Sequence, residues 1–278
     1  FPGGKREPGE SPEDALVREL REELGIEAQV GEHIITVPQQ YPDKRLKLEV
    51  RHLAGWKGTP RGHEGQALAW VVPDKLMRYA MPPADRPVVA ALLHPDRYLV
   101  TPEPTDASLW LASLERALAE GVRRVHVRAR RLSGDAWEQL ARKAVACCVA
   151  AGAEVLLNGD IELARTLGVG VHLRASQLAE LVFRPLPEDV LVAASCHTAA
   201  DLRQAETLAC DFAVVGSVFP TATHPGGDPL GWPGFAGLRE NVSLPLYAIG
   251  GLQPADITQA RQHGAQGIAA IRGLWPAA

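Results

Sequence analysis

Gly4-Lys5-Arg6-Glu7-Pro8-Gly9-Glu10 leads directly into Ser11-Pro12-Glu13-Asp14-Ala15-Leu16-Val17-Arg18-Glu19-Leu20-Arg21-Glu22-Glu23-Leu24-Gly25-Ile26. Ser11 can cap a helix, Pro12 suits its first position, and Glu13 and Asp14 suit the positive end of its dipole. Ala15, Leu16, Leu20 and Leu24 recur at roughly helical spacing, and Gly25 is the natural stop. Glu19 lies three and four residues before Glu22 and Glu23, so three carboxylates share one helix face. Their mutual repulsion costs stability unless a cation binds. Hard oxygen ligands favour Mg²⁺, with Mn²⁺ as the alternative. Such ions bridge phosphate oxygens and activate water, which is phosphoanhydride chemistry. On the helix alone, a solvated acidic face with Arg18 and Arg21 as partners competes with that reading.

Working outward, extended stretches are predicted near 32–37, 46–54 and 67–72, then a short apolar helix at Val88–Leu93 after Pro82, Pro83 and Pro87. From Arg97 the rhythm changes. β-prone runs occur at Tyr98–Val100, Val125–Arg128, Val155–Leu157, Gly170–Leu173, Val190–Ala194, Phe212–Val215, Leu246–Ile249 and Gly267–Ile271. Amphipathic segments such as Ser108–Glu120, Asp135–Ala151 and Thr198–Leu208 separate most of them. Alternating β and α implies a parallel sheet, and eight units suggest a closed (β/α)₈ barrel. This half is shorter than the ~250 residues typical of that fold, which leaves a doubly wound open sheet as the alternative. The join falls around 94–96.

The chain has 278 residues and a formal net charge of −4. Hydrophobic residues make up 46%, which argues against a disordered chain. No apolar run approaches the ~20 residues of a membrane span, so no membrane is expected. The mild negative charge gives no electrostatic reason to bind nucleic acid directly. Cys147, Cys148, Cys196 and Cys210 form no CxxC pair, and a reducing cytoplasm is the expected location. The chain opens on Phe1 rather than Met, straight into the glycine motif, and reads as a fragment that lacks its first residues.

The spacing from Gly4 through Glu10, Arg18-Glu19-Leu20, Glu22-Glu23 and Gly25-Ile26 matches every fixed position of the Nudix box. Phe1-Pro2-Gly3-Gly4-Lys5, Tyr41-Pro42-Asp43, Gly62-His63-Glu64-Gly65-Gln66 and Pro82-Pro83-Ala84-Asp85-Arg86-Pro87 further resemble the MutT branch of that family. Residues 1–94 are thus expected to form a Nudix α/β/α sandwich without its opening strands. The resemblance implies Mg²⁺ ligation by the Gly3 carbonyl, Glu19, Glu22, Glu23 and Glu64. Arg18 can hold Glu19 or Glu10 in place. The implied reaction is hydrolysis of a nucleoside triphosphate, 8-oxo-dGTP, to the monophosphate and pyrophosphate, which keeps mutagenic precursors out of DNA. The branch reads its purine with an Asn where this chain has Asp85. An ionised Asp only accepts hydrogen bonds, so it suits the N7–H of an oxidised purine but repels O6. Asp85 reads equally as a turn or helix-cap residue.

Residues 97–278 resemble the thiamine phosphate synthase/TenI family. The resemblance rests on Tyr98-Leu99-Val100-Thr101, Val125–Arg130, Gly170-Val171-His172-Leu173, Val214–Thr223 and Ala248-Ile249-Gly250-Gly251. Gly250 and Gly251 end a strand, so their backbone N–H groups can face a phosphate, beside a strand end within 267–273. Synthase chemistry needs metal-bound pyrophosphate, but Gly159 and Gln177 stand where metal-binding Asp residues belong, and His224 stands for a Lys. Asp160 is the one acid near enough to substitute. Ser195-Cys196-His197 follows the fifth strand, where TenI-like proteins carry a catalytic His. His197 is thus the candidate proton shuttle, with a hydrogen-bonded structural His as the competing reading. His126 and His172 are expected in the core or behind the site, and Trp110, Trp137 and Trp275 in packing. Cys196 should face away from His197. The barrel is accordingly expected to be a tautomerase of a phosphorylated thiazole, a sensor of such a ligand, or a structural partner of the hydrolase.

Overall fold

The structure, a computed structural model, describes residues 1–221 and 228–276. Helix α1 (Pro12–Leu24) begins as its sequence requires: the Ser11 hydroxyl accepts the Asp14 N–H, and a proline stands in the first turn. Gly25, at φ +67°, ends it by donating its N–H to the Arg21 and Leu20 carbonyls. Leu20, Leu24 and Ile26 are buried against Leu16, Ala28 and Leu53, which leaves the acidic face outward. Strands β1 (Glu27–Gln40) and β2 (Arg45–Lys57) form a long antiparallel hairpin with irregular register between Gln29 and Ile35. Ile34, Ile35 and Val37 of β1 pack with Ala84 and Val88, so helix α2 (Arg86–Leu93) closes over that end.

One expected strand is missing. Residues 67–72 pair with nothing, because the sheet here contains only β1 and β2 and neither lends an edge to this segment. Trp70 is 80% exposed and stacks on Trp56 with ring centroids 5.7 Å apart. Without a ladder the segment's backbone has no reason to extend into a strand.

The second half is a closed parallel barrel of eight strands: β3 (Arg97–Val100), β4 (Arg124–Val127), β5 (Glu154–Asn158), β6 (Gly170–Leu173), β7 (Val192–Cys196), β8 (Phe212–Gly216), β9 (Leu246–Ile249) and β10 (Gly267–Ala270). β10 pairs with both β9 and β3, so no strand edge remains and the open-sheet alternative is overturned. Around the strands lie α3 (Ala107–Ala119), α4 (Gly134–Ala150), α5 (Ile161–Leu167), α6 (Ala175–Glu180), α7 (Ala199–Thr207), α8 (Gly231–Arg239) and α9 (Ile257–Gln262). Strands of four or five residues and one- to two-turn helices after α4 are how so short a chain closes a barrel. The strands bury both faces. Tyr98, Leu156, Phe212 and Tyr247 fill the interior, and the alternate residues pack under the helices.

The halves touch directly. The Gln40 N–H donates to the Glu240 carbonyl at 2.7 Å, and Arg45 pairs with the Glu240 carboxylate at 2.6 Å. The Gln266 amide donates to the Ala90 carbonyl, which ties α2 to the start of β10.

Candidate functional sites

On α1 the charges converge on Arg18. Its guanidinium donates to both Glu10 oxygens at 3.0 and 3.1 Å, to Glu19 at 2.8 Å, to Glu22 at 3.3 Å and to the Lys5 carbonyl at 2.9 Å. It therefore holds Glu10 and Glu19 together, and the bond from Arg18 holds the Glu10 carboxyl below its ordinary range. The glycine turn packs on the same face. The Gly3 N–H donates to Glu23 at 3.1 Å. A Cβ on Gly4 would lie 2.1 Å from the Glu19 carboxyl carbon, so any larger residue here would displace the Glu19 carboxylate. The loop bearing Glu64 docks on the C-terminal end of the helix, at Glu23. The His63 N–H and the Gln66 amide both donate to the Glu23 carbonyl, and the Gln66 side-chain oxygen accepts the Glu64 N–H. Gln66 and His63 are positioning residues that the sequence reading did not single out.

Among the described residues the carboxylates do not gather into a group of three able to hold a metal ion, because Arg18 takes Glu19 and Glu22 as ion pairs. The donor set nevertheless fits a hard divalent cation. It is all carboxylate and backbone oxygen, the Glu23 and Glu19 carboxylates lie against Gly3 and Gly4, and a bound ion would relieve the repulsion that Arg18 now offsets. Asp85 sits at the head of α2, half-buried, and burial raises its pKa. Its carboxylate makes no capping hydrogen bond.

The second site is the mouth of the barrel. A cavity of about 490 Å³ is lined by Arg128, Ser195, His197, Ser217, Gly250, Gly251 and Arg272, among others. The structure thus brings His197 and the Gly250–Gly251 turn together, and it adds Arg128, Ser195, Ser217 and Arg272. All four lie at or just beyond strand ends, the position from which barrel side chains reach a ligand. The His197 ring lies 3.3 Å from the Gly216 carbonyl oxygen. The Arg128 Nε is buried without a hydrogen-bond partner. Cys196 is fully buried on the opposite side of its strand, and burial pushes its thiol pKa up, so it is no nucleophile. Ala222, Thr223 and His224 lie outside the described residues.

Beneath the mouth, His126 and His172 stack with ring centroids 4.1 Å apart. His172 lies 2.8 Å from the Ser195 hydroxyl and 3.0 Å from the Tyr98 hydroxyl, and His126 lies 3.1 Å from the Asn158 side-chain oxygen. Burial, with Arg128 nearby, pushes the His172 pKa down to about 3, and burial likewise drives His126 well down. Both rings are neutral core residues, as expected. Trp110 and Trp275 pack on each other, and Trp137 donates to Asp160 at 2.8 Å. Asp160 also caps α5 through the Leu163 N–H. Both its oxygens are therefore committed to structure, against its reading as a substitute metal ligand.

With this geometry in place, the comparisons with known proteins fall into two sets. Residues 1–92 match the NUDIX domain model, and residues 97–274 match the thiamine monophosphate synthase model. The first part is 45% identical over 93 residues to a CTP pyrophosphohydrolase of Escherichia coli K12, covering 34% of this chain and 69% of that protein. It is 42% identical over 92 residues to the 8-oxo-dGTP diphosphatase of the same organism, covering 33% and 71%. The barrel is 32% identical over 182 residues to the thiamine-phosphate synthase of Thioalkalivibrio sulfidiphilus, covering 64% and 86%. The chain belongs to the Nudix family through its first part and to the thiamine monophosphate synthase family through its barrel. Its first part is a Nudix pyrophosphohydrolase, and no helix among the described residues is long and apolar enough to cross a membrane.

Proposed function

We propose that the Nudix part hydrolyses oxidised purine nucleoside triphosphates, 8-oxo-dGTP foremost, to the monophosphate and pyrophosphate, and so clears mutagenic precursors before replication. The observation that carries this is the Arg18 cluster, in which one guanidinium gathers Glu10, Glu19 and Glu22 against the Gly3–Gly4 turn. Glu19, Glu22, Glu23, Glu64 and the Gly3 carbonyl would hold Mg²⁺ or Mn²⁺. When bound, such an ion neutralises phosphate charge and acidifies water. The chain's own part is to orient and to move a proton. Arg18 fixes the carboxylates, the glycine turn admits the phosphates, and a carboxylate of the cluster takes the proton of the attacking water.

Asp85 bears on the choice of base. Its carboxylate is free of any capping bond and can accept from the N7–H that oxidation places on guanine. The same acceptor suits the exocyclic amino group of cytosine, and a relative is named for CTP. Competition between 8-oxo-dGTP and CTP as substrates separates the two: preference for 8-oxo-dGTP supports the assignment, and preference for CTP moves it to the cytosine nucleotides.

The barrel mouth is read as a site for a phosphorylated small molecule of the thiazole phosphate class, with its phosphate at Gly250–Gly251 and a proton shuttled by His197. His197→Ala should stop tautomerisation there. If the mouth serves only as a sensor, the same change leaves ligand binding intact and no tautomerisation is found in the parent protein.

A further inference from the structure

We propose that the barrel takes its phosphate-bearing ligand without a divalent cation, as a phosphomonoester rather than a diphosphate, because Gln177 and Arg174 fill the place where a metal-binding carboxylate pair would stand. The inference rests on the reading of the mouth as a phosphate site. Synthases of this family use a cation to hold pyrophosphate, and here the fit fails on geometry as well as on residue type. β5 ends at Asn158, and Gly159 turns the chain at φ +67°. The Gly159 carbonyl accepts the Gln177 side-chain amide at 2.7 Å. The Gln177 side-chain oxygen in turn accepts the Arg174 Nε–H at 3.1 Å. A Cβ on Gly159 would come within 2.5 Å of that oxygen and 2.8 Å of the Arg174 Nε. A carboxylate at 159 would have to adopt φ +67° and push the Gln177 and Arg174 side-chain ends out of this strap, and the neighbouring Asp160 is spent on the α5 cap and Trp137.

The charge that a cation would bring is supplied instead by guanidinium groups at the mouth. Arg174 sits in the strap, and Arg128 and Arg272 line the cavity with Gly250 and Gly251. Arg128 presents a buried Nε–H that no protein group accepts, a donor suited to a ligand oxygen. One phosphate in the glycine turn can be balanced by Arg128 and Arg272, which line the same cavity. A second phosphate at the Gly159 end would meet the Gln177 amide where its counter-ion should be.

The test follows the amide resonances of Gly250 and Gly251 in the full ¹⁵N-labelled chain, titrated with inorganic phosphate or pyrophosphate, in EDTA and in Mg²⁺. This readout is local, so metal and pyrophosphate bound at the Nudix site do not enter it. The expected result is that phosphate shifts both glycines with affinities equal within about twofold in the two conditions, and that Mg²⁺ does not tighten pyrophosphate. Tightening of pyrophosphate by Mg²⁺ of about tenfold or more overturns the inference while leaving the phosphate site standing. No shift in any condition overturns the phosphate site itself. The double variant Gly159→Asp/Gln177→Asp should gain Mg²⁺-dependent pyrophosphate binding, and a folded double variant without that gain counts against the inference. Arg272→Ala should weaken phosphate about threefold in EDTA. Recovery of that loss by Mg²⁺ would contradict the proposal.

Discussion

The helix α1 site and the barrel mouth both face phosphate chemistry, yet they are put together in opposite ways. On α1 the charged groups stand largely at the surface and are ordered by one another: Arg18 holds Glu10, Glu19 and Glu22, and the glycine turn leans on Glu19 and Glu23. Remove one member and the others relax. At the mouth the ligand-facing groups stand on the ends of strands whose other residues are locked in a closed core, with neutral His126 and His172 packed beneath. The first site stores its specificity in a charge balance that a cation can tip. The second stores it in shape, and its most telling residues, Gly159 and Gln177, act by occupying space.

This contrast predicts where damage should be chemical and where it should be structural. The largest effect belongs to α1. Glu22→Gln and Glu23→Gln should each cut hydrolysis by about 10²–10⁴-fold with the thermal midpoint unchanged, since the groups lie outside the core. Unchanged turnover in both would remove them from the machinery. Arg18→Ala should follow, with turnover down at least ~10-fold and the apparent Mg²⁺ requirement altered, because Glu19 and Glu22 lose their shared partner. On the proposed reading of Asp85 as a base contact, Asp85→Asn should change the ratio of 8-oxo-dGTP to dGTP turnover rather than either rate alone, because it adds a hydrogen-bond donor.

The barrel's response should appear as stability. The folded-state pKa of His172 is about 3, whereas an unfolded chain takes up that proton near pH 6.5. Between those values the unfolded state binds the extra proton, so stability is complete above pH ~6.5 and falls as pH drops toward ~3. His126 shifts in the same direction and adds to the loss. Thermal midpoints measured from pH 7.5 to 4 should fall, and His172→Gln should flatten the fall. The smallest effect is Asp160→Ala, which removes the α5 cap. It should cost about 1 kcal/mol of stability and leave phosphate binding at the mouth intact. Loss of binding instead would return Asp160 to the site.

Much of this was legible in the residues themselves. The α1 site declares itself because its parts are close in sequence, and helical spacing alone puts Glu19, Glu22 and Glu23 on one face. The eight strands could be read from alternation, with boundaries shifted by one or two residues, as at Val192–Cys196. Closure was expected from the count of eight units, and the pairing of β10 with β3, between the two ends of the half, is what excludes the open-sheet alternative. The segment 67–72 was misread because apolar alternation says what a strand could bury, not whether a partner edge exists. The Gln177–Gly159 contact joins residues on different βα units, and no local pattern announces it. His63 and Gln66 were quoted within a motif, but their support of the α1 end appears only when the loop folds back onto it.

On the proposed reading, the Nudix part is a cation-dependent pyrophosphohydrolase of oxidised purine nucleotides. This activity is tested most directly by the initial rate of pyrophosphate release from 8-oxo-dGTP, with dGTP alongside, as free Mg²⁺ is raised from EDTA conditions to saturation. The account predicts no release in EDTA, a rate that climbs with Mg²⁺ to a plateau, and a clear preference for 8-oxo-dGTP. Release that ignores EDTA, or no release from either nucleotide at any Mg²⁺ concentration, would contradict it.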